Sequence, residues 1–176
     1  MDQKVLFLDF DGVINTDRMA IDALTKEGVW RDEYGLKFDP ESVSNLRRIL
    51  DHTGARIVAI TSWKHYGIDY LQEIWTARRM PGEISDVTPE SRTDFEMDPQ
   101  GRPKCVSVPL YSKGEQIEEW LVQEQLEGRE TRYAILDDNQ QFTLEQQPYF
   151  IQVCAHCGIT LNDSQRAIAI LNHENH

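Results

Sequence analysis

Four short stretches of the chain carry residues whose types and spacing could do chemistry. DFDG, Asp9 to Gly12, ends the apolar run Val5 to Leu8 with two carboxylates one residue apart. Thr61-Ser62-Trp63 follows the short β-branched run Arg56 to Ile60. Lys113 lies in SKGEQIEEWL, and Asp137-Asp138-Asn139 follows Tyr133 to Leu136. Side chains alternate along a strand, so Asp9 and Asp11 are expected to project to one side where the first strand ends. Crowded carboxylates raise one another's pKa values and cost stability unless a cation meets them. Mg²⁺ binds through a few carboxylates, waters and substrate phosphate oxygens. Acids, hydroxyls and a lysine brought together therefore point to metal-assisted chemistry on a phosphate.

The elements that must position these residues read as strands alternating with helices. Val5 to Leu8 forms the first strand, and Gly12 allows a tight exit from it. Residues 16–38 have no clean period and read as a loop or small insertion. Asp39-Pro40 starts a helix with Asp39 as cap, and Val43, Leu46, Ile49 and Leu50 keep helical spacing up to a stop at Gly54. The second strand spans residues 56–60. A helix from near Ile68 to Arg79 follows, broken at Met80-Pro81-Gly82. Residues 81–112 are polar and proline-rich, an excursion over one end of the sheet with room for short strands. Lys113 opens an amphipathic helix with Ile117, Trp120, Leu121 and Leu126 on its apolar side, closed by Gly128. Strands at Tyr133 to Leu136 and Tyr149 to Val153 and a helix from near Asn162 complete the pattern. This order predicts an α/β domain with a mostly parallel sheet covered on both faces. In such sheets ligands bind beyond the carboxyl ends of the strands, where Asp9/Asp11, Thr61/Ser62 and Asp137/Asp138 all fall.

Composition narrows the function classes. The 176 residues and 40% hydrophobic content suit one folded domain, and no apolar run reaches the 18 or so residues of a membrane span. The first residues do not resemble a signal peptide. With three cysteines, Cys105, Cys154 and Cys157, this favours reduced thiols and a cytoplasmic setting. A formal net charge of −12 argues against bulk electrostatic attraction to nucleic acid or anionic membranes.

The four stretches resemble the motifs of the haloacid dehalogenase-like (HAD) superfamily of aspartate-nucleophile phosphohydrolases. DFDGV is similar to its first motif, Thr61 in IVAITSW to the second, Lys113 to the third, and AILDDN to the fourth. They occur in the family's order across residues 5–139. The pairing of LDFDGV with TSW further resembles the small HAD domains associated with RNA-repair proteins. The resemblance implies a Rossmann-like three-layer sandwich over residues 1–176 with a minimal cap or none. It also implies a Mg²⁺-dependent phosphatase working through an aspartyl-phosphate: Asp9 as nucleophile, Asp11 as acid and then base, Thr61 and Lys113 on the phosphoryl oxygens. Asp9, Asp137 and the backbone carbonyl of Asp11 would hold the metal, with Asp138 supporting it or orienting Lys113.

Some readings stay open. Ser62 can replace Thr61 as the second-motif hydroxyl, and Lys104 competes with Lys113. Transfer to an acceptor other than water is not separable from hydrolysis. A receiver-like signalling domain uses similar residues in a different chain order, and a non-catalytic phosphate-binding module would have no need of the full set. The substrate is a phosphomonoester, on a small molecule or on a macromolecule such as a nucleic-acid end or a phosphoprotein. Cys154-Ala155-His156-Cys157 has the form of a zinc half-site without a second half, so ordinary loop thiols are the preferred reading. Trp63 is expected in the core, and His65 and Tyr66 either touch substrate or pack.

Overall fold

Every pair of strands in the central sheet runs parallel, and the two faces of its middle strand bury different halves of the core. The computed structural model describes residues 3–25 and 30–172. In chain order the elements are β1 (Gln3–Leu8), α1 (Asp17–Thr25), β2 (Arg31–Asp32), β3 (Gly35–Leu36), α2 (Pro40–Thr53) and β4 (Arg56–Ala59). A 3₁₀ turn (Ser62–Tyr66), α3 (Ile68–Ala77), β5 (Ile84–Val87), β6 (Ser91–Met97) and β7 (Pro103–Pro109) follow. The chain continues through α4 (Lys113–Leu126), β8 (Thr131–Asp137), β9 (Phe150–Gln152) and α5 (Leu161–Asn172).

The sheet order is β5-β4-β1-β8-β9, as expected for an α/β sandwich with a mostly parallel sheet. Register places Leu8 beside both Ala59 and Leu136, so three strands finish level with one another. Leu6 and Leu8 pack with Leu46 and Ile49 of α2, Ile74 of α3 and Leu171 of α5. Val5 and Phe7 face the other way, toward Ile117 and Trp120 of α4. The period-2 pattern of β1 thus feeds two apolar layers, each closed by helices at helical spacing.

Local signals account for both ends of α2 and the start of α4. Asp39 accepts from the backbone N–H groups of Glu41 and Ser42, Pro40 follows it, and Gly54 closes α2 in the left-handed region at φ 65°. Ser112 and Glu115 form a reciprocal capping box at the start of α4.

Several boundaries differ from expectation. The interval 16–38, read as a loop or small insertion, is the latter: it holds α1 and the β2–β3 hairpin, with residues 26–29 outside the described residues. The excursion 81–112 contains β5 and the antiparallel ribbon β6–β7, whose β6 residues are all exposed. The cap of α5 is Thr160 rather than Asn162: the Thr160 hydroxyl accepts from Asp163 N at 3.2 Å while Asp163 accepts from Thr160 N at 2.9 Å. Leu126 is 82% exposed, because the buried stripe of α4 runs through Ile117, Trp120 and Glu124 and Leu126 stands on the opposite side of the helix from Ile117.

One buried acid ties α4 to the amino-terminal edge of the sheet. Glu124 accepts from Arg129 at 2.5 and 2.6 Å, from Arg56 at 2.9 Å and from Gln3. These donors, Arg129 above all, hold its carboxyl at about 2, below the usual 4.5. Because the folded value is depressed, the stabilisation is present above pH 4.5 and is lost as pH falls toward 2. Glu124→Gln is expected to lower stability by about 2 kcal/mol at pH 7. It should also flatten the acid side of the stability curve, both checked by urea unfolding across pH.

Candidate active site

The level ends of β1, β4 and β8 bring the motif residues to one edge. The strand ladder continues just past β1, with Asp9 N donating to Leu136 O at 3.1 Å and Ile60 N to Leu8 O at 3.0 Å. Asp9 and Asp137 are buried, and Asp138 is half-buried beside them. One carboxylate oxygen from each of the three lies within 4.8 Å of the others. Lys113 spans the first two, its Nζ donating to Asp9 Oδ2 at 2.7 Å and Asp137 Oδ2 at 2.6 Å.

Lys113 reaches this point because α4 starts against the loop after β8. Gly114 N donates to Gln141 O at 3.1 Å, and Gln146 Nε2 donates back to Gly114 O at 2.9 Å. A Cβ on Gly114 would meet Gln146 Oε1 at 2.9 Å and Gln141 O at 3.0 Å, so glycine is what lets the helix start sit there.

Burial dominates the electrostatics. It pushes Asp137 up to about 6, with the negative charge of Asp9 adding to the effect and Lys113 opposing it. Burial likewise raises Asp9 above the ordinary carboxylate range despite Lys113. For Lys113, burial disfavours the charge, yet the two carboxylates outweigh it and raise its pKa. Three carboxylates against one ammonium leave two negative charges in a buried corner. Hard oxygen donors in that number and spacing fit a divalent cation such as Mg²⁺.

The remaining expected residues divide between floor and rim. Thr61 is fully buried, and its hydroxyl accepts from Trp63 N at 3.3 Å to start the 3₁₀ turn, leaving the hydroxyl proton to be donated elsewhere. Ser62 is exposed and lines a cleft of about 400 Å³ with Asp9, Asp11, Gly12, Asp17, Lys113, Asp138, Asn139 and Ala155. The side chain of Asp11 is not in the three-carboxylate group. Strand β1 ends at Leu8, so alternation no longer governs Asp11; the chain turns at once, with Val13, Ile14 and Asn15 all donating to Phe10 O. The Asp11 carboxylate instead accepts from Trp63 Nε1 at 2.9 Å and Asn15 Nδ2 at 2.8 Å. Lys104 sits on the exposed ribbon opposite Glu96.

Trp63, Asn15 and Asp17 were not readable as site residues from sequence. The TSW stretch was the available signal for Trp63, but an indole there reads equally as core, and its ring does pack against Phe10 and Phe38. Lys64, also unforeseen, is buried and donates to Thr88 O, Thr88 Oγ1 and Gln116 Oε1 at 3.0, 2.9 and 2.6 Å. Burial lowers its pKa to about 8. His65 and Tyr66 stack on each other, exposed and outside the cleft lining. Cys154 and Cys157 lie 3.3 Å apart between sulfurs, exposed, and no His, Cys, Asp or Glu completes a metal group with them among the described residues. Among the same residues no helix is long and apolar enough to cross a membrane.

A parallel sheet with two nested carboxylate motifs, a second-strand hydroxyl and a helix-borne lysine at one edge defines a domain of the HAD superfamily of phosphohydrolases and phosphotransferases. The family model for the HAD domain in Swiss Army Knife RNA repair proteins matches residues 5–164, and the chain belongs to that family. No curated protein and no solved structure shows significant similarity to it.

Gly12 offers a direct test of the corner. Its φ of 74° disfavours any side chain, and a Cβ would stand 2.6 Å from Asp138 Cγ and Oδ2. Gly12→Ala is expected to cost about 1–3 kcal/mol. It should also shrink any rise in melting temperature on adding Mg²⁺, measured by melting with and without the ion.

Proposed function

We propose that this domain is a Mg²⁺-dependent phosphomonoesterase that works through an aspartyl-phosphate on Asp9. The observation that carries the reading is the Lys113 bridge between Asp9 and Asp137, with Asp138 in the same corner. Asp9 is the carboxylate nearest the open cleft that is both buried and paired with a cation, which suits an oriented nucleophile. Asp137 and Asp138, with Asp9 and the carbonyl of Asp11, would hold Mg²⁺, which supplies charge neutralisation for the transferring phosphoryl group. Lys113 and the free proton of Thr61 would bind phosphoryl oxygens, with Ser62 at the rim. Asp11 would give a proton to the leaving oxygen and then take one from the attacking water. Phosphoryl transfer depends chiefly on such positioning and charge complementarity.

The cleft is shallow and open to solvent, which suits a phosphate at the end of a large partner. The family's association with RNA repair supports a phosphorylated nucleic-acid end as that partner. A net charge of −12 means that such an end would have to be held by local contacts rather than by the overall field. Hydrolysis and transfer to another acceptor share the first step, so the acceptor is a second reading of the same site. A cytoplasmic setting fits the three exposed free thiols.

The test is release of inorganic phosphate from p-nitrophenyl phosphate and from oligonucleotides carrying a terminal phosphate. Mg²⁺-dependent turnover is expected for the wild type and a loss of at least about 10³-fold for Asp9→Asn. Full turnover by Asp9→Asn would remove the assigned nucleophile.

A further inference from the structure

Asp11 has a different set of neighbours from the other site acids. Asp9 and Asp137 meet the ammonium of Lys113, whereas each oxygen of Asp11 meets a neutral donor: Trp63 Nε1 on Oδ2 at 2.9 Å and Asn15 Nδ2 on Oδ1 at 2.8 Å. Both donors come from well-anchored positions. The indole is wedged against the rings of Phe10 and Phe38, at 5.7 and 6.2 Å between centroids, and its backbone N–H donates to the Thr61 hydroxyl that caps the turn. Asn15 N donates to Phe10 O, and Asn15 O accepts from Gly12 N, both at 2.8 Å. An exposed carboxylate on a mobile side chain is thus held by two rigid arms.

The chemistry of the arms matters as much as their rigidity. An indole N–H donates and cannot accept, so it fixes an oxygen without offering a destination for a proton. A carboxyl held in this way lines the open cleft, where it can exchange a proton with a bound substrate.

We propose that Trp63 and Asn15 are positioning residues that hold Asp11 for proton transfer to and from the substrate. This rests on the phosphatase reading above. In the first half-reaction an Asp9 oxygen bonds to phosphorus and the bond from phosphorus to the ester oxygen breaks. The Asp11 proton goes to the departing oxygen, releasing an alcohol. In the second, Asp11, now ionised, takes a proton from water as that water's oxygen bonds to phosphorus, and the bond to Asp9 breaks to release phosphate.

The dependence on leaving group separates positioning from general support of the fold. A p-nitrophenolate leaves readily without a proton, whereas an alkoxide needs one, and kcat/KM covers the steps through the first bond cleavage. Trp63→Phe keeps the ring but removes the donor. It is expected to lower kcat/KM for an alkyl phosphate such as glycerol 2-phosphate roughly 10- to 100-fold. For p-nitrophenyl phosphate the change should be less than about 3-fold, because the proton contributes little there. Asn15→Ala should show the same selectivity and carries the test if melting shows that Trp63→Phe does not fold. Equal losses on both substrates, or none on the alkyl phosphate, overturn the positioning role while leaving the phosphatase reading intact. A wild type inactive on both substrates and on phosphorylated oligonucleotides removes that reading, and this inference with it.

Discussion

Like charge gathered at the carboxyl edge of a parallel sheet is the constraint on which this structure turns. Asp9, Asp137 and Asp138 converge because β1 and β8 are adjacent, parallel and level at their ends. Their mutual repulsion, worsened by burial, would push the chain apart or drive protons onto the acids. Lys113 offsets part of it within the fold, and the negative charge and hard oxygen donors that remain suit a divalent cation. Stability and chemistry are set by the same few ångströms. The residues that keep Lys113 in place, Gly114 and Gln146 among them, therefore belong to the site although none carries charge.

Outside that corner the fold separates tasks. The buried strands and their helices supply rigidity, with Leu6 and Leu8 on one face and Val5 and Phe7 on the other. The cleft beside that corner is lined from less buried parts: the turn at Ser62–Tyr66, the start of α1 and the loop holding Ala155. Lys64, in that turn, bonds Thr88 after β5 and Gln116 in α4. Gln116 in turn donates to Leu110 at the foot of the β6–β7 ribbon. The exposed ribbon is thereby anchored to the edge where the motifs meet, although its strands contribute nothing to the buried core.

Much of this was legible in the chain. Short apolar runs marked β1, β4 and β8, ending in acids at β1 and β8 and in hydroxyls at β4, and Asp39-Pro40 and Gly54 marked both ends of α2, because such signals act within one or two turns of backbone. The family match over residues 5–164 agrees with the resemblance carried by the four motifs. What escaped was geometry set at longer range. Helix α1 is short and buries Met19 alone in its length, so the core gave the sequence little to mark it by. Leu126 was expected on the apolar side of α4, but the position inward in the last turn is taken by Glu124, held by Gln3, Arg56 and Arg129 from distant parts of the chain.

The chain alone determined which residue types stand where strands end, and with them the class of chemistry, because strand, turn and cap preferences are local. Only the tertiary structure decided how the acids divide. The strand stops at Leu8, and the turn behind it carries Asp11 away from Asp9 toward Trp63, a residue 52 positions on. No pattern within either segment encodes that meeting. It follows from the packing of Phe10 and Phe38 around the indole, and packing is a property of the assembled core.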